Sequence, residues 1–490
     1  MGLKIRYLSD EDKQTLHKLR HTDELEKVAE LLEGVLKRQP SIHALWEYRK
    51  WFLRLTEEKL QKRPSLAYGL IQVYILSGEL KKAKAVLERF PQDAPYCLFA
   101  KLMYPGIRKE EWENAIRELN RLGYFPESTM ALTAGRPSVL NGIWDFTPYA
   151  ESLHTDRDAL LEQLKIIFGE TATMVCEVAH AENSYYQDNC YESLVKVIGL
   201  IPFLKEKHEI QLLFVALTLE VFVMVQNGQT LSTIPMMENV RKQIRENDME
   251  EFMPNIDALD AWAAMYDGDY KRVFKWMREG APDEYSKFCM LDLFRYMIKM
   301  RAYIIQGKYL AVTSLATKLL PLLEAGRRYM DLCELHMIWA MSDYADGRKR
   351  EAFKHLEIAL ELSEKYHYDR LLADEGKRML DLLKEYRSEK TKSPYLAWIT
   401  ELAEKSAALF PRYLKNQLPD KPALTEAEMR ILRLLQDNYT NAQIAEEVGI
   451  AQETAKKHCK NIIAKLKVKN RYQAVQRAEE YGLIEPKWKG

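Results

Sequence analysis

Five short polar turns recur along the middle of the chain at a nearly constant interval, and that interval constrains the fold more than any other feature. The turns are Asp188-Asn189-Cys190-Tyr191, Asn227-Gly228-Gln229, Asp267-Gly268-Asp269-Tyr270, Gln306-Gly307-Lys308-Tyr309 and Asp346-Gly347-Arg348. Their Gly or Asn positions, 189, 228, 268, 307 and 347, are spaced by 39, 40, 39 and 40 residues. Each turn lies between two apolar stretches of helical length. Gly or Asn adopts the left-handed conformation that closes a helix, so each unit reads as a helical hairpin. A hairpin cannot bury its apolar face alone, and stacked hairpins share one continuous core. An earlier hairpin of the same form surrounds Ser77-Gly78-Glu79. The spacing predicts an all-α fold, an α-solenoid, over about residues 20–385.

The stretch Ala340–Leu362 resembles a tetratricopeptide hairpin, which makes this a tetratricopeptide-like α-solenoid, though the period here is longer. Composition agrees. Gly and Pro number 20 and 18 in 490 residues, few for a fold rich in short strands. Residues 124–149 are the exception, with Pro126, Gly135, Pro137, Gly142 and Pro148, and read as an irregular insertion packed on the solenoid. The turn-proximal aromatics, among them Tyr185, Tyr186, Tyr266, Tyr303 and Trp339, read as hairpin core ahead of a ligand cage. The six cysteines form no CxxC pair and no zinc-ligand spacing, which points to a reducing cytosol and to no metal. Leu212–Val225 is the most apolar stretch, but it is too short to span a bilayer and carries Glu220, so it reads as a buried helix and not as a membrane segment.

The composition shifts near residue 388. One amphipathic helix is expected over Tyr395–Leu409, then a stiff linker at Pro419-Asp420-Lys421-Pro422. Thr425 and Glu428 form a capping box for a first helix, and Thr440 and Gln443 for a short second one that ends at Gly449. In the third, Ala455, Cys459, Ile462 and Leu466 share one face, with Lys456, Lys457, Lys460 and Asn461 opposite. A fourth helix over about Tyr472–Tyr481 turns Ala474, Val475 and Ala478 inward. A short helix, a tight Gly turn and a longer helix with a basic outer face make a helix-turn-helix with a recognition helix. Seven cations and no acid lie between Lys456 and Arg471. Such a one-sign run favours phosphate contact over ordinary solvated surface.

The stretch Leu424–Leu483, with LT…E, TNAQIAEEVGI and TAKKHCKNIIAKLKVKNR, resembles the LuxR-type DNA-binding domain. The resemblance implies double-stranded DNA as a partner. It implies base reading by Lys456, Lys457 and Lys460, with Asn461 beside them, and phosphate contacts at Thr454 and His458. Lys465, Lys469 and Arg471 would lie near the sugar-phosphate backbone. It also implies a homodimer on DNA, with Tyr472, Val475 and Gln476 as interface candidates. Ala451 stands where the family usually has a capping Ser, a loss of roughly 1 kcal/mol. Asn438 replaces a frequent Gly, and Ala455 a frequent Val.

Trp51-Phe52-Leu53-Arg54-Leu55-Thr56-Glu57-Glu58 and Leu76-Ser77-Gly78-Glu79-Leu80 are similar to the start of the helical sensor domain of large maltose-activator-like LuxR regulators. Those regulators carry an NTPase module before this point. No GxxxxGK[ST] occurs in this sequence, since Gly307-Lys308 and Gly376-Lys377 are followed by Tyr and Arg.

The expected domains are therefore 1–387, the repeat sensor; 388–422, the connecting helix and linker; and 423–486, the DNA-binding module. The expected function is a cytoplasmic bacterial transcriptional regulator. Its solenoid would sense a small-molecule, peptide or protein effector, and its tail would bind promoter DNA through the major groove. The alternative is a peptide- or protein-binding scaffold with a vestigial or dimerising tail. No catalytic arrangement and no cofactor motif is present, and Glu334 and His336 read as solvated helix surface. The net charge of zero hides an asymmetry, because residues 421–490 hold 13 Lys or Arg and 9 Asp or Glu. That is +4, and residues 1–420 must carry −4.

Overall fold

The computed structural model describes residues 8–38, 40–91, 93–123, 132–133, 136–228, 232–389, 393–414, 424–481 and 483–484. Every regular element among them is a helix, and the one extended pairing is an isolated bridge between Asn141 and Asp145. Shorter helices run from Asp10 to Arg121. Regular hairpins follow: Ala172–Tyr186 with Cys190–Glu206, Ile210–Gln226 with Thr233–Glu246, Met253–Asp267 with Tyr270–Glu279, Leu293–Ile305 with Tyr309–Ala325, and Tyr329–Ala345 with Lys349–Tyr366. The helices Asp369–Ala373, Gly376–Glu389 and Pro394–Leu409 complete the array. The Pro419–Pro422 linker and residues 124–131 and 134–135 of the insertion lie outside the described residues.

The turns show why the period holds. In four of them the residue past the left-handed position donates its N–H to a carbonyl five residues back: Asn189 to Ser184 (2.8 Å), Asp269 to Ala264 (2.9 Å), Lys308 to Tyr303 (2.9 Å) and Arg348 to Asp343 (2.8 Å). This is the closing bond of a Schellman cap, and it requires one residue at positive φ. Gly228, Gly268, Gly307 and Gly347 supply it. In the first unit the left-handed residue is Asp188, not the expected Asn189. The left-handed positions are thus 188, 228, 268, 307 and 347. Asp188 is held there by its carboxylate, which accepts from Arg370 Nη1 at 3.1 Å. A second series of turns returns the chain from each second helix to the next unit. His208, Asp248, Arg327 and His367 take positive φ in it without a glycine, so the sequence carried no visible mark for them.

The first helix of each hairpin is buried on most sides. Leu212, Leu213, Phe214, Val215, Ala216 and Leu217 are each at most 2% exposed, so this apolar stretch is a core helix. The second helices are outer, and one of them exposes Tyr191, Val195 and Phe203. No helix among the described residues is long and apolar enough to cross a membrane. The apolar core divides into two clusters, one spanning Leu8 to Leu414 and the other Ile431 to Ile484.

The described part of the insertion lies inside the array, held by buried charge. Arg328, fully buried, donates from Nη1 to Ile143 O (2.7 Å), from Nη2 to Asn141 O (3.2 Å) and Oδ1 (2.9 Å), and from Nε to Asp331 (2.6 Å). Arg136 reaches Asp331 at 2.9 Å and also pairs with Glu334. Glu334 in turn takes Arg301 at 2.7 Å. Glu182 accepts the backbone N–H of Val139 (2.9 Å) and Leu140 (3.1 Å). A Cβ on Gly142 would stand 1.7 Å from the Leu132 carbonyl oxygen, so only glycine fits there. Glu334 and His336, expected at the surface, are 4% and 6% exposed. Glu334 is inward because two arginines from distant segments compensate it. The neighbouring imidazoles of His336 and His355 are 2.9 Å apart, and burial lowers both to about 4, so they are neutral at pH 7.

Replacing Arg328 by Ala would leave Asp331 without its closest cation and three acceptors without a donor. Loss of one partner of a buried pair costs about 3–5 kcal/mol. Urea unfolding of the full chain, followed by tryptophan fluorescence, should show a loss of that size. A loss below about 1 kcal/mol, as for a surface pair, would contradict the central role of this side chain.

Candidate nucleic-acid interface

Four helices surround the second core: Glu426–Gln436, Asn441–Val448, Gln452–Lys465 and Arg471–Glu480. Their starts are set locally. Thr425 Oγ1 accepts from the Glu428 N–H at 3.2 Å, and the Thr425 N–H donates to Glu428 Oε2 at 2.8 Å. Thr440 and Gln443 repeat this box at 3.3 and 2.9 Å. Gly449 closes the second helix at φ 75°, and Asn438 takes φ 62° at the preceding turn, as its short polar side chain allows. The third helix begins at Ala451, which forms no side-chain cap. The fourth is capped by Asn470, whose Oδ1 accepts from the Gln473 N–H at 2.8 Å.

The third helix carries the lysine face. Ala455, Cys459, Ile462 and Leu466 are at most 5% exposed and pack on Ile431, Leu432, Leu435 and Ile444. Helical spacing then directs Lys456, Lys457, Lys460, Asn461 and Thr454 to one solvent-facing arc, and all five are exposed. Lys456 lies 3.6 Å from Glu453, with both side chains at least half exposed, and such a pair is worth little. His458 is half-buried at the edge of the arc, and its Nδ1 has no hydrogen-bond partner. Lys469 is exposed in the turn before the fourth helix.

Two of the expected DNA contacts are engaged inside the module. The Lys465 ammonium stands 2.6 Å from Glu428 Oε2, whose side chain is 4% exposed, so it clamps the recognition helix to the first capping box. Arg471 donates to Tyr439 O at 3.3 Å and to Asn441 Oδ1 at 3.0 Å, fastening the start of the fourth helix to that of the second. Asn441, which the sequence reading passed over, is the receiving group of that tie. On the fourth helix Ala474 and Ala478 are fully buried, and Val475, expected both inward and at an interface, is half-buried against the core. Tyr472 is 66% exposed, and Gln476 donates to its hydroxyl at 3.2 Å. Val475 thus sits between the two other interface candidates on a partly uncovered apolar face.

Comparison with known proteins agrees with this geometry. Residues 422–478 match the family of bacterial regulatory proteins of the luxR type, and residues 204–389 match the MalT-like TPR region. The HTH-type transcriptional regulator MalT of one Klebsiella pneumoniae strain is 24% identical over 275 residues, and MalT of a second strain of that species matches equally. Each match covers 50% of this chain and 30% of the relative. The chain carries a LuxR-family helix-turn-helix domain behind a MalT-like TPR region, with distant MalT homology over half its length.

The Lys465–Glu428 clamp has a pH signature. Burial raises the Glu428 carboxyl, but hydrogen bonds from Lys465 and Thr425 outweigh that and hold it below its ordinary value near 4.5. A depressed carboxyl stabilises the fold fully above that ordinary value, and the contribution fades as pH falls through the folded-state value. Amide protection of residues 426–436 in the full chain, followed from pH 6 to pH 3, should fall at a higher pH in Lys465→Met than in the parent. Coincident curves would show that the pair contributes nothing.

Proposed function

We propose that the chain is a bacterial transcriptional regulator that acts in the cytoplasm and binds promoter DNA as a dimer. The observation that carries this reading is the exposed cationic arc of Lys456, Lys457 and Lys460 on a helix whose opposite face is fully packed. A helix of this diameter fits the major groove, and lysines at such positions reach base edges or the flanking phosphates. Thr454, His458 and Asn461 border the arc and contact the adjoining backbone and bases, and Lys469 extends the positive edge beyond the helix. The internal ties of Lys465 and Arg471 give them a supporting role. They orient the recognition helix, and their outer N–H groups face phosphate only secondarily. The half-covered surface of Tyr472, Val475 and Gln476 pairs with its copy, so that two recognition helices meet two half-sites. A vestigial tail would be expected to lose its caps and its lysines, and both capping boxes are intact. The array, buried along its inner helices and carrying the balancing negative charge, is the sensing half.

Affinity for a duplex should depend steeply on salt. If about 6–8 phosphates are neutralised per dimer, the slope of log K against log salt is about −5 to −7. Fluorescence anisotropy with the full chain measures it, and a flat response would contradict the reading. Lys456→Ala should cost roughly 1–3 kcal/mol on a specific site and relax the preference at one base pair. An unchanged affinity and preference would remove Lys456 from the interface.

A further inference from the structure

The inner helices of the array enclose a cleft of about 50 Å3, lined by residues from five of them, by Arg136 of the insertion and by the turn of chain around Arg370–Glu375. This is room for roughly two to four water molecules, so the cleft suits one end of a molecule, the rest lying in its mouth. Its wall combines two kinds of group. One is a row of rings, with Phe222 and Trp262 edge-to-face at 4.6 Å and Trp262 and Tyr266 at 4.7 Å. The other is a set of three buried ion pairs: Arg136 with Glu334, Arg301 with Glu375, and Arg370 with Asp374 at 3.0 Å. Apolar side chains of the same volume would stabilise a helical array at least as well as such pairs. Recognition gives them a purpose.

The wall specifies its ligand. Each of its arginines faces a wall carboxylate, so a ligand with a net charge would enter a buried site that offers it no counter-ion. Three wall atoms make no hydrogen bond: Arg370 Nε, Arg370 Nη2 and Asp374 Oδ1. Nε and Asp374 Oδ1 face each other as an ion pair, which leaves Nη2 open to a ligand. Arg370 is 8% exposed; its Nη1 is bound to Asp188 and its Nε lies beside Asp374, but its Nη2 has no hydrogen-bond partner. A buried donor of this kind favours an acceptor.

We propose that this cleft binds a small uncharged molecule that joins an apolar ring face to a carbonyl-type acceptor, the acceptor taking Arg370 Nη2 and the ring lying against Phe222 and Trp262. The inference rests on the reading of the array as the sensing half and names the chemistry it senses. The site has a physical route outward. Tyr413 stacks on Tyr266 at 3.9 Å and donates to Glu375 at 2.9 Å, and Arg378 Nε holds Leu414 O at 2.6 Å. Tyr266 and Glu375 therefore belong both to the cleft and to the seat of the segment that leads toward the DNA-binding module.

Calorimetric titration of the full chain with benzamide and with benzoate, which share a shape and differ in charge, tests the proposal. Benzamide should bind one-to-one and at least about ten-fold more tightly than benzoate, and Arg370→Gln should lose about ten-fold for benzamide. Trp262→Ala, which leaves the ion pairs in place, should weaken benzamide by a similar factor, so the test survives an unstable Arg370 variant. Benzoate binding as tightly as benzamide, or no saturable benzamide binding up to about 10 mM, would overturn it. Duplex binding measured on the same sample separates the two readings. DNA binding without benzamide binding removes the cleft and keeps the regulator; the reverse keeps the cleft and removes the regulator.

Discussion

The interior of the array depends on one guanidinium. Arg328 is fully buried, and its three nitrogens are spent on two carbonyl oxygens, an amide oxygen and a carboxylate. Through these bonds an irregular segment, poor in helix formers, is held where the inner helices would otherwise face an open groove. The charge then passes from group to group: Arg328 to Asp331, Asp331 to Arg136, Arg136 to Glu334, Glu334 to Arg301 and Arg301 to Glu375. Removing one member leaves the next uncompensated in a low dielectric, so the chain of pairs acts as a unit. It fixes the walls of the cleft and, through Glu375 and Tyr413, the end of the described array.

The parts of this architecture that sequence made legible are those set by local rules. A glycine at a left-handed turn needs no distant partner, and four of the five regular turns fall at the glycines that mark them. The capping boxes at Thr425 and Thr440 are likewise properties of four consecutive residues, and the packed face Ala455–Leu466 follows from helical spacing within one element. What escaped was set at long range. Asp188 is left-handed because Arg370, 182 residues on, holds its side chain. Glu334 looked like a surface acid because its partners, Arg136 and Arg301, are far away in sequence. The tie of Lys465 to Glu428 was likewise hidden, because the two lie 37 residues apart in the chain. His208, Asp248, Arg327 and His367 take the left-handed conformation with no glycine at that position.

The two halves use charge in opposite ways. In the array, arginines are buried and neutralised one by one, and they fix the shape of the interior. In the module, lysines are exposed and collected on one arc, open to a polyanion. A guanidinium with its flat fork suits the first task, and a flexible ammonium the second. A mildly negative array would also disfavour non-specific contact with DNA by the rest of the chain.

The central claim is that this arc reads DNA sequence on behalf of the array. Selection of bound genomic fragments by the full chain, beside a variant with Lys456, Lys457 and Lys460 all replaced by Ala, tests it most directly. The account predicts a few strongly enriched fragments that share a two-fold motif with half-sites about one helical turn apart, all lost in the variant. Fragments recovered evenly, or recovered equally by both proteins, would contradict it.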